Sequence, residues 1–309
     1  MKILKNVSEY DGGTSIVTLG KFDGLHRGHN KLFQEMHSKK QAYASSLHTV
    51  AVTFDRAPGN LLSENRQEYI FTKEEKYLIY EKKEIDYLLE IPLTKEFLCQ
   101  EPEEFVRKYL VEGLGAKHII VGSDFRFGKD RRGDAKLLKQ METEYGFFVH
   151  VEEKVKYHGR EVSSTFIREK IRNGKLNCVN EMLGYPYFLL GEVVHGNAFG
   201  RTIGVPTINM LIPEGKVMFP NGVFATGVLI DDKIYHGMTN IGVKPTVGRE
   251  NPLGAETYIL NFSGDLYGKI CKVEFYQFLR KEKKFNSIEE LKEQIAKDVQ
   301  MASGEDKWC

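Results

Sequence analysis

The sequence predicts two domains of different class: an α/β domain on a parallel sheet, then an antiparallel β-barrel or sandwich closed by a terminal helix. Three observations carry this. From residue 14 to about 150, apolar β-type runs alternate with segments of helical period, which implies a parallel sheet covered on both faces. Fourteen of the 29 glycines then fall between residues 184 and 268, where helical periods stop and short runs with turn signals replace them. Last, Ser287-Ile288-Glu289-Glu290 has the capping-box pattern and opens an amphipathic helix.

Taken in order, the expected strands of the first half are Ile16–Leu19, Val50–Phe54, Tyr87–Ile91, His118–Val121 and Phe147–Val149. The intervening helices are expected over 28–45, 73–83, 102–112 and 134–145. In such sheets ligands bind outside the carboxyl ends of the strands, so the loops after residues 19, 54 and 121 are where a site belongs. In the second half the runs Phe188–His195, Val223–Ile230, Lys233–Ile241, Glu256–Phe262 and Lys269–Leu279 have barrel-like spacing. The terminal helix carries a stripe of Ile288, Leu291, Ile295 and Val299, expected to pack on the barrel. The composition shift near Gly184 sets the expected domains at 1–184 and 185–309, and 309 residues suit two domains of about 100–200 each.

Forty-four Lys+Arg against 43 Asp+Glu leave a net charge of +1, which argues against nucleic acid held by bulk electrostatics. No segment has the roughly 18 apolar residues of a membrane span, and the first residues lack an apolar signal region, so no membrane partner is expected. Cys99, Cys178, Cys271 and Cys309 form no C-x-x-C pair and read as the reduced thiols of a cytoplasmic protein.

Directly after the first of those strands comes Gly20-Lys21-Phe22-Asp23-Gly24-Leu25-His26-Arg27-Gly28-His29. Two imidazoles three residues apart, where a strand hands over to a helix, suit a phosphate held by free N–H groups and imidazole donors. Alone, H-x-G-H also reads as two surface histidines in a turn or as a metal pair. A second element, Ser163-Ser164-Thr165-Phe166-Ile167-Arg168, opens a helical run with natural N-caps and places a guanidinium one turn on. H-x-G-H and S-S-T-x-x-R in this order resemble the paired signatures of the nucleotidylyltransferase superfamily. With Gly122-Ser123-Asp124-Phe125-Arg126-Phe127-Gly128, the longer string G-x-F-D-G-x-H-x-G-H resembles the FAD-synthetase module of bacterial bifunctional riboflavin kinase/FMN adenylyltransferases. The resemblance implies a Rossmann-like nucleotidylyltransferase fold that transfers AMP from ATP to FMN. It implies ATP-phosphate contacts at Gly20, Phe22, Asp23, His26 and His29, with Ser163, Ser164, Thr165 and Arg168 at the pyrophosphate end. It also implies catalytic roles for His26, His29 and Arg168, and puts Phe54, Pro58 and Asp124 beside flavin or adenine. Two positions depart from the family pattern: Asp55-Arg56-Ala57-Pro58 where His-Pro is frequent, and Asp124 where Asn is common.

In the glycine-rich half, Gly196 to Arg201 form a loop, followed by Gly204-Val205-Pro206-Thr207-Ile208-Asn209. Thr207 and Asn209 alternate along an extended segment, so their oxygens face one side, as hard ligands of Mg²⁺ with ATP would. The run from Gly191 to Phe285 resembles the riboflavin kinase domain with its G-x-P-T-x-N signature. That resemblance implies ATP binding at Gly196, Gly200, Arg201, Thr207 and Asn209, and Mg²⁺ at Thr207 and Asn209. It makes Glu256 the base toward the ribityl 5′-hydroxyl and places Arg280 and Phe285 near the flavin, with Lys281 standing where Pro is usual.

The expectation is a bifunctional enzyme: riboflavin + ATP to FMN, then FMN + ATP to FAD and pyrophosphate, with Mg²⁺ as cofactor. The rivals are a single-activity member with one module impaired and a non-catalytic flavin-binding regulator. A zinc reading of His26 and His29 lacks further ligands at suitable spacing beyond Asp23.

Overall fold

The computed structural model describes residues 1–43, 46–55, 68–196, 199–243 and 253–303. The chain forms two compact units: Met1–Glu68 with Lys76–Ser164, and Tyr69–Glu75 with Thr165–Cys309.

The first unit is built on β1 (Lys2–Leu4), β2 (Ser15–Leu19), β3 (His48–Phe54), β4 (Tyr87–Ile91), β5 (Ala116–Gly122) and β8 (Phe148–Glu152). They form one parallel sheet in the order β1-β4-β3-β2-β5-β8. Such strands are buried on both faces, which is why Val17, Val50, Val52, Leu89, Ile119 and Val121 run together in one core. Crossovers include α1 (Arg27–Ala42), α2 (Lys73–Glu81), the short α3 (Lys95–Leu98), α4 (Pro102–Phe105) continuing as a π-helical stretch over Val106–Gly113, and α5 (Ala135–Tyr145). Asp134 caps α5 through Leu137 N–H at 2.9 Å. The expected strands and helices are present with ends shifted by a few residues. The sequence reading missed β1, an edge strand of three residues, and two small hairpins, β6 (Arg126–Phe127) with β7 (Gly133–Asp134) and β9 (Lys156–Tyr157) with β10 (Arg160–Glu161). Going outward from β2 the chain order runs to β3 and β4 on one side and to β5 and β8 on the other. The strand order therefore reverses at β2, and the crevice at the carboxyl ends of β2 and β5 is the topological switch point.

The second unit opens with α6 (Ser164–Arg172), shared at its first residue with the other unit, and α7 (Leu176–Leu183). Asn180 ties α7 to strands that follow: its Nδ2 donates to the Phe275 carbonyl at 2.9 Å and its Oδ1 accepts from Tyr187 N–H at 2.8 Å. Gly184, read from composition as the domain break, is the left-handed residue that ends α7, with φ 84°. After it come β11 (Tyr187–Glu192), the short α8 (Phe199–Thr202), β12 (Thr207–Leu211), β13 (Gly222–Ile230), β14 (Lys233–Val243), β15 (Leu253–Ile259), β16 (Ile270–Arg280) and α9 (Ile288–Ala302). The strands form one antiparallel sheet, β11-β16-β13-β14-β15-β12. It curls until its two edges meet at a single bridge, where Val194 N–H donates to the Asn209 carbonyl at 2.8 Å. The result is an incompletely closed barrel.

Segment Tyr69–Glu75 reaches this unit from the middle of the first half of the chain. Tyr69 exchanges backbone hydrogen bonds with Gly215 and Val217, both 2.9 Å. Thr72 and Glu75 form a reciprocal capping box, and the Glu75 carboxylate also takes Lys216 Nζ at 2.6 Å and Leu190 N–H at 2.9 Å. Both charged side chains are completely buried. Lys216 Nζ further donates to the Ile70 carbonyl and lies 4.7 Å from the ring centroids of Phe71 and Tyr187.

Candidate active sites

The loop that leaves β2 at the switch point is strained. Phe22 (φ 47°), Gly24 (φ 87°) and Leu25 (φ 41°) are all left-handed, and non-glycine residues tolerate this only where packing over-determines it. Phe22 and Leu25 are fully buried, with Phe22 against Phe33, Tyr80 and the edge of His29. Phe22 therefore shapes the loop through the core. The loop delivers His26 to the start of α1 and stacks it on His29, ring centroids 3.8 Å apart and 17° from parallel. Gly28 lies close beneath the pair: a Cβ there would sit 3.1 Å from the His26 ring, which would have to give by a few tenths of an ångström. Burial pushes the His26 imidazole down to about 4, and burial together with the neighbouring His26 pushes that of His29 well below its ordinary value. Two stacked neutral imidazoles result. The Nδ1 atoms of both are buried without a hydrogen-bond partner among the described residues.

Three further elements meet this loop. Ser164 Oγ donates to the Asp23 carbonyl at 2.7 Å, which pins the first residue of α6 to the G-x-F-D-G turn. Beyond β5, Asp124 lies close enough to His26 to oppose the fall in its pKa, and it pairs with Lys154 Nζ at 3.0 Å. Lys154 holds Glu161 at 2.7 Å as well, so the acidic residue at position 124 brings its own counter-ion. Phe54, at the end of β3, is partly buried and edge-on to Phe97. Asp55 braces the neighbouring strand end, where its Oδ1 accepts Leu93 N–H at 2.9 Å after β4. Pro58, with Arg56 and Ala57, lies outside the described residues. Further along α6, in the second unit, Arg168 is buried at 7% exposure and its Nη2 donates to Thr165 Oγ1 at 3.4 Å. Ser163 precedes that helix.

The second unit contains a cavity of about 240 Å³ between the antiparallel sheet and α9. Thr207, Glu256, Arg280 and Phe285 all line it, as does Gly200. Their meeting follows from register. Across β12, β15 and β14, Asn209 stands opposite Glu256 and Glu256 opposite Asn240, while Thr207 stands opposite Tyr258 and Tyr258 opposite Met238. Directly opposed residues share a face, so the T-x-N oxygens and the carboxylate fall on one patch. Thr207 Oγ1 donates to Glu256 Oε1 at 2.7 Å. That hydroxyl has spent its proton on Glu256 and keeps lone pairs for a cation. Asn209 is buried, and its amide fills the space where Gly196 has no side chain: a Cβ at 196 would lie 2.3 Å from Asn209 Nδ2. Arg201, in α8, is exposed.

The sequence reading missed several residues at this cavity. Asn240 lines it, donates through Nδ2 to Glu282 Oε1 at 3.2 Å, and keeps a buried Oδ1 with no partner among the described residues. Asp298 lines it from α9 and binds Arg280. The helical stripe also needs correction: Ile295 and Val299 pack on Val223, Ala225 and Met238, and Leu291 and Ile295 line the cavity. Ile288, the first residue of the helix, is in contrast 46% exposed. The available signal for Asp298 was an acid on an otherwise apolar stripe at i, i+4, i+7.

Residues 9–166 match the family model described as FAD synthetase, and residues 183–304 the one described as riboflavin kinase. The bifunctional riboflavin kinase/FMN adenylyltransferase of Bacillus subtilis is 33% identical, over 93% of this chain and 91% of its own. Its namesake in Listeria monocytogenes is 35% identical over 94% and 92%, and that of Escherichia coli K12 34% identical over 96% of each chain. A crystal structure described as a macrolide-efflux protein from Streptococcus pneumoniae superposes with a TM-score of 0.87 at 29% identity, covering 97% of each chain. Among the described residues no helix is long and apolar enough to cross a membrane. With both domain models in order and relatives matched along nearly their full length, the chain belongs to the bifunctional riboflavin kinase/FMN adenylyltransferase family.

Proposed function

We propose that this protein makes FAD from riboflavin in two ATP-dependent steps: riboflavin + ATP gives FMN + ADP, then FMN + ATP gives FAD + pyrophosphate. The observation that carries the reading is the Thr207–Glu256 hydrogen bond at the cavity wall, opposite a buried Asn209. It aligns an alcohol-activating carboxylate with two neutral hard oxygens, the parts a kinase without a P-loop needs. Glu256 accepts the proton of the ribityl 5′-hydroxyl as its oxygen attacks the γ-phosphorus of ATP, and ADP leaves.

The donor set suits Mg²⁺. Among the described residues no cluster of three or more His, Cys, Asp or Glu could hold a metal alone. A hydroxyl and an amide oxygen at Thr207 and Asn209 are what a cation sharing its shell with phosphates and water would use. Bound there, Mg²⁺ would neutralise phosphate charge. Gly196, Gly200 and Arg201 are assigned to the same ATP, and Arg280 and Phe285 to the flavin ring.

For adenylyl transfer, the FMN phosphate oxygen attacks the α-phosphorus of ATP and pyrophosphate departs. His26 and His29 serve as neutral donors at the phosphates, on the loop from Gly20 through Phe22 and Asp23. Ser163, Ser164, Thr165 and Arg168 are assigned to the departing pyrophosphate, and Phe54, Pro58 and Asp124 to the flavin or adenine side. No covalent enzyme intermediate is needed, so alignment and charge stabilisation do the work. The modules are assigned to residues 1–184 and 185–309, and the protein to the cytoplasm, with small-molecule partners and neither nucleic acid nor membrane.

Chromatography of products from riboflavin, ATP and Mg²⁺ tests this. Both FMN and FAD are expected. FMN alone would leave a single-activity kinase, and neither product, with flavin still bound, would make the protein a flavin-binding regulator.

A further inference from the structure

The aspartate on the terminal helix is costly where it stands. Asp298 is 1% exposed and lies one turn from the C-terminus of α9, the end whose dipole disfavours negative charge. A helix needing only to cover the barrel would carry an apolar residue there. What holds the carboxylate is Arg280 at the end of β16: Nε lies 3.1 and 2.9 Å from the two carboxylate oxygens, and Nη2 lies 2.8 Å from Oδ2. Gln294 Nε2 donates to Oδ1 at 2.9 Å from one turn earlier in the helix.

The same contacts fix the guanidinium. Nη1 donates to the Lys281 carbonyl at 3.1 Å, and the group sits 5.7 Å from the centroid of the Phe285 ring. Arginine has five N–H donors in one plane. Three are taken by Asp298 and Lys281, so the remaining two have set directions at the wall of the cavity that Arg280, Phe285 and Asp298 line. Lys281 follows immediately, and no proline ring stiffens the loop there. Side-chain clamps supply the constraint instead: Asp298 on Arg280, and Asn221 and Asn240 on Glu282 at 3.0 and 3.2 Å.

We propose that Asp298 is a positioning residue of the kinase site: it holds Arg280 in the orientation that receives the flavin, and so makes the terminal helix part of that site. This rests on the kinase reading above. It goes further in assigning a substrate-binding consequence to a residue that need not touch the substrate.

The test is a double-mutant cycle on the full chain, reading steady-state FMN formation and fluorescence titration with riboflavin. Asp298→Ala should raise KM and Kd for riboflavin on the order of tenfold, with KM for ATP within about twofold. Adding Asp298→Ala to Arg280→Ala should cost nothing more, because the aspartate acts through the arginine. Asp298→Asn, which retains one acceptor and the shape, should fall between wild type and Asp298→Ala, and it serves if the alanine variant does not fold. Multiplying penalties, or parallel loss for ATP and riboflavin with a lowered Tm, would mean that Asp298 merely anchors the helix, and would overturn the proposal. Wild-type protein that bound riboflavin without phosphorylating it would remove the kinase reading, yet the titration cycle would still decide the role of Asp298. Absence of riboflavin binding in wild type would overturn both.

Discussion

Replacing Glu75 by Gln changes one atom in a buried network and should destabilise the barrel unit far more than a surface change. Gln preserves volume and, with its oxygen at the position of Glu75 Oε2, still accepts from Thr72 N–H, but its amide then meets Leu190 N–H donor to donor. It removes the negative charge facing Lys216 Nζ, 2.6 Å away, where both side chains are wholly buried. The ammonium then retains the Ile70 carbonyl and the faces of Phe71 and Tyr187. Leaving a buried charge without its partner costs about 3–5 kcal/mol. The two ring faces and the carbonyl offset part of this, so about 3 kcal/mol is expected. For a unit of this size each kcal/mol is worth about 2–4 °C, so the kinase transition should fall by about 6–12 °C. Differential scanning calorimetry, paired with thermal inactivation of FMN formation, measures it. Glu75→Leu combined with Lys216→Met should recover much of the loss, because apolar groups of similar size replace such pairs at little cost. A Glu75→Gln protein that melts within about 2 °C of wild type would refute the reasoning.

Three further outcomes are expected. Glu256→Gln should lower kcat for FMN formation by about 10²–10⁴-fold while FAD formation from supplied FMN persists, as chromatography of each product would reveal. The first unit should lose stability as pH falls from about 6.5 towards 4. The unfolded chain takes up protons on His26 and His29 in that window and the folded one does not, so stability is complete above it and is lost below it, roughly 3 kcal/mol of that through His26; urea midpoints across pH check the sign, and His26→Asn should reduce the slope and leave the part due to His29. Chelation with EDTA should stop FMN formation and added Mg²⁺ should restore it, whereas activity unaffected by EDTA would sink the assignment of Thr207 and Asn209.

What could be read from the sequence divides along the range of the interactions. Strands β2 to β5 were legible because burial on both faces leaves near-continuous apolar runs, and α1 because its start coincides with a loop motif. Thr207 and Asn209 were legible as a pair because strand alternation is local. Their partner across the sheet is set by register between β12 and β15, which no local pattern encodes. Tyr69–Glu75 illustrates the limit. Its capping box is a local signal, but its use as a strap on the barrel depends on Lys216, far along the chain, and a buried lysine looks in sequence like any surface one. Composition shifts near Gly184, where α7 ends, but α7 packs with the strands that follow it, and the compact units divide earlier, after Ser164.

The near-zero net charge acquires a physical meaning from the sites. Both reactions move polyanions, and a strongly positive surface would attract them without orienting them. In the proposed reading the phosphate-facing groups of the first unit are two imidazoles that burial keeps neutral, so they would donate without a standing positive charge to desolvate. The acid at position 124 is balanced by Lys154, and the arginine at the barrel cavity by Asp298. These two charges thus come with fixed partners, which trades long-range attraction for direction. An enzyme that must turn a flavin and a nucleotide to a set geometry gains more from direction, because effective molarity depends on alignment and only the encounter rate depends on the field. Salt should accordingly change kcat/KM of either step only weakly, and a steep fall between low and physiological ionic strength would show that steering, and not alignment, limits the reaction.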